Sequence, residues 1–273
     1  MKVPVKSKKE QPSTTPRVLI LDIETKPIRA FVWDIWDVNV ALNQIAEDWS
    51  ILSYAAKWLN EPASKMFYED VRNEKDYTND KKIMQGIWKL LDEADVIITQ
   101  NGKSFDERRL NARFIMHGMA KPSSYRHIDT KRLAKKHFAF TSHGLEYMTD
   151  KLCTKYKKLN HKKFPGQALW TECLKGNKEA WKEMELYNKH DVLATEELYN
   201  KLAPWDNSIN WNVFVPDVQH KCSCGSTEFR NKGYAYTQTG QYRRFLCKVC
   251  GKETRGRENL LTKEKKKSLR QGP

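Results

Sequence analysis

Residues 17–25 read RVLILDIET, an apolar run that ends in two acids one residue apart. The Leu-rich and β-branched stretch Val18-Leu19-Ile20-Leu21 predicts a buried strand, and strand alternation then points Asp22 and Glu24 to the same face. Two carboxylates on one face call for a cation. An Asp-x-Glu after a strand is also ordinary turn chemistry, so the pair gains meaning only if the chain supplies partners for it.

The chain has 273 residues, with 49 Lys and Arg against 34 Asp and Glu, a net charge of +15 and a pI near 9.4. That length accommodates one large catalytic domain, or a medium domain with a small appendage. The positive balance favours a polyanion, and nucleic acid is preferred to a merely basic surface because the charge coexists with focused acids. No apolar run approaches the roughly 20 residues that cross a bilayer. Residues 1–16 are basic and rich in Pro, Ser and Thr without an apolar core, which predicts a disordered arm rather than a signal peptide. The expectation is no membrane and an intracellular, cytoplasmic location. Of six cysteines, Cys153 and Cys173 stand alone while Cys222, Cys224, Cys247 and Cys250 cluster. In a reducing compartment such a cluster predicts a metal site rather than disulfides.

Hydrophobic patterning predicts three consecutive strands, VLILDIE, AFVWDIW and SILSYAAKW, and hence an antiparallel start to a sheet. IMQGIWKLLDEA then reads as a helix, DVIITQN as a buried strand, and FDERRLNARFIMHG as an amphipathic helix closed by Gly118. HIDT is a short strand, TKRLAKKHF and HGLEYMTDKL are helical, and a basic insert at 155–163 precedes the last helices. In the final long helix, Trp181, Met184, Tyr187, Asp191, Ala194 and Leu198 recur at three- and four-residue intervals, so Asp191 lies one turn from Tyr187. The expected organisation is an arm at 1–16, a catalytic domain at 17–203, a linker at 204–218, a small β domain at 219–258 and a basic tail at 259–273.

Asp22 and Glu24 thereby acquire partners. Asp106 begins a helix after a strand and loop, and Asp191 sits on a helix able to face the first strand. Four converging carboxylates repel unless cations neutralise them, which predicts two Mg²⁺ or Mn²⁺ ions about 4 Å apart on hard oxygen ligands.

DIET, NGKSFDERRL and YNKHDVLATEELY, in that order, resemble the three motifs of the DEDD, or DnaQ-like, 3′→5′ exonuclease superfamily. The resemblance covers Arg17 to Leu202, and SILSYAAKWL and HIDTKRLAKK are similar to segments of family B DNA polymerase exonuclease domains. It implies a ribonuclease H-like α/β fold, a mixed sheet with antiparallel first strands and then parallel ones, flanked by helices. Tyr187 four residues before Asp191, with Leu186 five before it, implies the Tyr-type branch. By this resemblance Asp22, Glu24, Asp106 and Asp191 bind the two metals and Tyr187 positions the nucleophile. Thr25, Asn101 and Phe105 match positions that contact the substrate, with turn chemistry for Asn101 and core packing for Phe105 as the plainer alternatives. His190 points about 100° away from its neighbour Asp191 and reads as structural or substrate-side.

Cys222-x-Cys224-Gly and Cys247-x-x-Cys250-Gly flank a 22-residue spacer rich in Tyr, Thr and Phe. Four thiolates suit one tetrahedral Zn²⁺, and the spacer suits a β-hairpin. The segment resembles the zinc ribbons of nucleic-acid proteins, though the short first knuckle leaves open whether His220 replaces a cysteine. Its stability would come from the metal. Arg243, Arg244 and Lys248 with Tyr242, together with Arg230, Lys232, Lys252, Arg255, Arg257, Tyr234, Tyr236 and Phe245, predict phosphate and base contacts. A solvated basic face is the competing reading for these residues and for the basic insert.

The sequence therefore predicts a metal-dependent 3′→5′ exonuclease, preferring single-stranded DNA, with a polymerase or a replication or recombination partner in trans. The stand-alone organisation resembles phage or mobile-element enzymes, which would act in the host cytoplasm. The alternatives are a ribonuclease or structure-selective nuclease of the same fold, or an inactive nucleic-acid-binding adaptor.

Overall fold

The computed structural model describes residues 16–159, 163–214 and 220–270. The predicted arm, apart from Pro16, lies outside them, as do 160–162 of the basic insert, 215–219 of the predicted linker and 271–273 of the tail. The described residues form two compact units, one spanning Arg17–Leu202 and another running from Ala203 onward.

The first unit is built on β1 (Val18–Thr25), whose Leu19, Ile20 and Leu21 are fully buried. Each such side chain contributes about 1.5–3 kcal/mol on leaving water, and apolar residues at successive positions suit a strand covered on both faces. The other strands are β2 (Arg29–Ala30), β3 (Ile45–Glu47), β4 (Ile51–Trp58), β5 (Phe67–Asp70), β6 (Val96–Thr99) and β7 (Arg126–Asp129). The main sheet has the order β5-β4-β1-β6-β7. β4 runs antiparallel to β1 and β5, whereas β6 runs parallel to β1 and β7. The mixed sheet is the one expected from the sequence.

The helices of this unit are α1 (Lys81–Glu93), α2 (Asp106–Met116), α3 (Thr130–His137), α4 (Leu145–Leu152), α5 (Ala168–Leu174) and α6 (Lys178–Leu202). α1 buries Ile83, Met84, Ile87, Leu90 and Leu91, a single stripe at helical spacing. On α6 the stripe from Ala180 to Leu202 is interrupted by buried Asn188 and Asp191. Polar groups on an otherwise apolar face need partners, and those partners lie in the site described below.

One expected strand is absent. AFVWDIW joins a strand only at Ala30, the end of β2, with Phe31 bonded to Gln44 beyond it, and Phe31, Trp33, Ile35 and Trp36 face solvent. Its rings carry strand propensity, but Asp34 takes the Ile35 N–H (2.9 Å) and Asp37 adopts φ 52°, so the chain turns instead of extending.

Beside the sheet, Asp80 is fully buried and accepts hydrogen bonds from Arg113 Nε (2.7 Å), Arg113 Nη2 (2.5 Å) and the Ile51 N–H (2.8 Å). It ties the start of α1 to α2 and to β4. The second unit contains β8 (Phe229–Thr237), β9 (Gly240–Cys247) and β10 (Glu253–Arg255) in a three-stranded antiparallel sheet, followed by α7 (Lys263–Ser268). Among the described residues no helix is long and apolar enough to cross a membrane.

Asp80→Ala would leave the Arg113 guanidinium buried without its carboxylate. The expected cost is about 3–5 kcal/mol of stability, measured as a lower urea midpoint at unchanged slope.

Candidate active site

Asp22 and Glu24 stand near the carboxyl end of β1, on either side of buried Ile23. Asp106 opens α2, and its carboxylate accepts from its own N–H and from the Ile23 N–H, which fastens the helix start to β1. Asp191 and Tyr187 come from the same face of α6, with the Tyr187 hydroxyl bonded to the Asp191 carboxylate. Asp22 and Glu24 are within electrostatic reach of both Asp106 and Asp191, and Tyr187 is within reach of Asp22, Glu24 and Asp191. Residues separated by up to 169 positions are thus gathered at one strand end.

Their ionisation reflects the crowding. Burial, followed by Glu24 and Asp191, holds Asp22 well above the usual carboxylate range. Burial and Asp191 push Glu24 up to about 8, against the Trp170 hydrogen bond. Asp106 is raised to about 7 by burial, opposed by the two backbone N–H groups. Asp191 is also raised, again chiefly by burial, although Lys158 pulls it down. Burial raises the Tyr187 phenol, and the neighbouring acids raise it further, so it is a neutral donor.

Three residues that the motifs did not single out complete the site. Asn188 donates to Asp22 Oδ2 (2.6 Å) and accepts from Ser53 Oγ (3.0 Å), linking α6 to β1 and β4. Trp170 Nε1 donates to Glu24 Oε2 (3.1 Å), and its ring meets Tyr187 edge-on at 6.1 Å. Lys158, from the basic insert, places Nζ 3.2 Å from Asp191 Oδ2 and 5.1 Å from the Tyr187 ring centroid. Asn188 was within reach of the sequence, since it precedes Asp191 by three and so shares its helix face. Lys158 lies in the basic insert that the sequence marks without distinguishing this residue, and Trp170 carries no local signal.

The remaining predicted residues have other surroundings. Thr25 ends β1 opposite Ile51. Asn101 adopts φ 68° and its carbonyl accepts from Ser104 and Phe105, which is turn chemistry. Gly102 follows because any Cβ there would lie 2.2 Å from Thr99 Oγ1. Phe105 packs on the core with the Arg109 guanidinium 4.5 Å above its ring. His190 packs against Tyr156 at 5.7 Å, and burial keeps it neutral.

The donor set fits hard divalent cations. Every group is an oxygen, and Asp191 Oδ1 is buried with no hydrogen-bond partner. Asp129, the nearest further acid, is instead consumed by the N–H groups of Asn101, Lys103, Lys131 and Arg132. Among the described residues, no three of these acids bring one oxygen each within 4.8 Å of one another, a spacing that the cysteines do reach.

In the second unit the Sγ atoms of Cys222, Cys224, Cys247 and Cys250 all lie within 4.8 Å of one another, with Cys222 to Cys250 at 3.4 Å and Cys224 to Cys247 at 3.7 Å. Thiolates about 2.3 Å from a tetrahedral zinc are about 3.8 Å apart, so the group fits that ion. Gly225 and Gly251, at φ 85° and 74°, turn the two knuckles. His220 stands apart and packs by Phe245 at 6.2 Å.

The basic residues divide. Arg243 and Lys248 are exposed, while Tyr242 is covered by the Arg255 guanidinium at 4.3 Å. Arg244 bonds the Lys232 carbonyl (3.1 Å) and faces Glu253. Lys252, expected at the surface, is buried on the Asp206 carbonyl and Ser223 Oγ, which removes it from any ligand-facing set. A cleft of about 1140 Å³ within this unit is lined by Trp211, Tyr234, Tyr236, Arg244, Arg255 and Arg257. Arg243, Tyr242 and Lys248 are not part of it.

No curated protein matches the chain. Among solved structures it is similar to the family B DNA polymerase from the hyperthermophilic archaeon Pyrobaculum calidifontis, with a TM-score of 0.50 and 15% identity over 72% of this chain. The match spans only 26% of that polymerase and concerns the fold alone. A family model described as RNase_H superfamily matches residues 19–203. With that match over most of its length, and with the mixed sheet it requires, the chain belongs to the ribonuclease H superfamily.

Proposed function

We propose that the chain is a metal-dependent 3′→5′ exonuclease of nucleic acid, with single-stranded DNA as the preferred substrate. The observation that carries this reading is the convergence of Asp22, Glu24, Asp106 and Asp191 at the end of β1, Asp106 and Asp191 buried and Asp22 and Glu24 half-buried, with Tyr187 bonded to Asp191. Superfamily membership supports a nuclease, and the order of the three motifs supports the exonuclease branch.

The four carboxylates would hold two Mg²⁺ or Mn²⁺. Such ions supply a water of lowered pKa and neutralise the charge of an in-line displacement at phosphorus. Tyr187, a neutral phenol, donates to or accepts from the attacking water and fixes its direction. Asn188 and Trp170 hold Asp22 and Glu24 in place. Lys158 neutralises part of the charge on Asp191 and stands ready for a phosphate oxygen. The water oxygen would bond to the phosphorus of the last internucleotide link as the P–O3′ bond breaks; the water gives a proton to solvent, the freed O3′ takes one from solvent, and a nucleoside 5′-monophosphate leaves. The cysteine group would hold one structural Zn²⁺, and the cleft with Arg244, Arg255, Arg257 and its tyrosines would give that unit a surface for a strand.

With 5′-labelled single-stranded DNA and Mg²⁺ or Mn²⁺, the products should form a ladder shortening from the 3′ end. Asn188→Ala should slow it roughly 10- to 100-fold, as loss of a ligand-orienting partner does, and Asp22→Ala should slow it more. Internal cuts, or a ladder on RNA alone, would replace the reading with another nuclease of this fold. Unchanged cleavage by Asp22→Ala would remove the site from the chemistry.

Divalent metal should also stabilise the wild type, by about 2.7 kcal/mol at about 100 times Kd, read as a higher melting temperature. Asp191→Asn should lose most of that rise. Purified protein should contain one zinc per chain, lost on Cys247→Ser together with protection of the second unit from protease.

A further inference from the structure

The excursion between β1 and β4 is unlike the rest of the first unit. It leaves and returns at one place, where Thr25 pairs with Ile51 and the Lys26 N–H donates to the Ser50 carbonyl (2.8 Å), next to the Glu24–Ser53 pair. Its stem is fixed. Lys26, buried, pairs with Glu47 at 2.6 Å, and Arg29 pairs with the same carboxylate. Phe31 N–H donates to the Gln44 carbonyl (2.9 Å), and Gln44 Nε2 returns a bond to the Phe31 carbonyl (3.2 Å). Beyond that stem Trp33 is 101% exposed, Trp36 78% and Phe31 77%.

Three large aromatic rings exposed within a six-residue stretch on a held stem are not core residues, and singly scattered exposure does not account for them. Phe31 is six residues from Thr25, so the rings begin no more than about 20 Å along the chain from the acid pair. The tip carries no Lys or Arg, and Asp34 and Asp37 serve its turns. Such a surface cannot bind phosphates, but every nucleobase has a face that stacks on Trp or Phe. Duplex bases are already stacked, so only unpaired ones offer that face.

We propose that Phe31, Trp33 and Trp36 form a stacking platform for unpaired bases of the strand whose end enters the carboxylate site. This rests on the nuclease reading above and narrows its substrate to single-stranded or frayed ends.

The test uses the full chain carrying Asp22→Ala, which blocks cleavage, and compares binding of an oligothymidine with that of an abasic phosphodiester of equal length. Trp33→Ala and Trp36→Ala should each weaken oligothymidine binding about 5- to 100-fold, with little change on the abasic strand. The salt dependence should stay constant, since no cation is removed. Trp33→Phe, which keeps a ring, should retain most of the affinity and so separates stacking from misfolding. Equal losses on both strands, or no loss on either, would overturn the proposal. So would a wild-type dimer in sedimentation that Trp33→Ala dissociates, because the rings would then serve a second copy of the chain. Wild-type hydrolysis of the nitrophenyl ester of thymidine 5′-monophosphate in Mn²⁺ reads the metal chemistry without a strand. Failure there with base-dependent binding intact removes the nuclease reading alone, and success there with base-independent binding removes the platform alone.

Discussion

Asp22, Glu24, Asp106 and Asp191 converge at the end of β1, where burial raises the cost of ionising each and the neighbouring acids raise it further for Asp22 and Glu24. Isolated buried carboxylates avoid that cost by keeping their protons. The arrangement persists because the scaffold answers it group by group. Ile23 lends a backbone N–H to Asp106, Asn188 donates to Asp22, Trp170 to Glu24, and Lys158 stands against Asp191. The remaining lone pair, on Asp191 Oδ1, is left for a cation. The pocket therefore depends on β1, β4, α2, α5, α6 and the basic insert at once.

That dependence explains several features which otherwise look merely structural. The left-handed Asn101 and the side-chain-free Gly102 let the chain turn tightly from β6 into α2, so that Asp106 arrives at Ile23. Asp129 fastens the same turn and the start of α3 through backbone N–H groups. Asp80 joins α1, α2 and β4 by a buried pair with Arg113. These two acids are satisfied locally, whereas among the four at the end of β1 Asp191 keeps Oδ1 without a hydrogen-bond partner.

The two sites divide metal chemistry by donor. Oxygen ligands of high burial on rigid elements suit hard ions that keep open positions, whereas four clustered thiolates suit a closed zinc site that holds a small sheet together. Lys252, buried on Asp206 and Ser223, serves the thiolate site in the same structural sense. It props the knuckle region and leaves the exterior to other cations.

Most of the first unit is legible in the sequence because its signals are periodic. The apolar run of β1, the helical stripe of α1 and the spacing of Tyr187 and Asp191 each specify an element and a face. The four cysteines specify their own cluster by spacing. AFVWDIW misleads because strand propensity describes a half-buried pleated surface, and no partner strand covers this segment. What the sequence determined by itself was the inventory: which acids stand at strand and helix ends, and which helix face carries Tyr187. Only the tertiary structure decided that Trp170 and Lys158 join them, that Asn101 serves a turn, and that Trp33 and Trp36 remain in water. Contacts between distant segments are set by packing of the whole chain, and no local pattern encodes them.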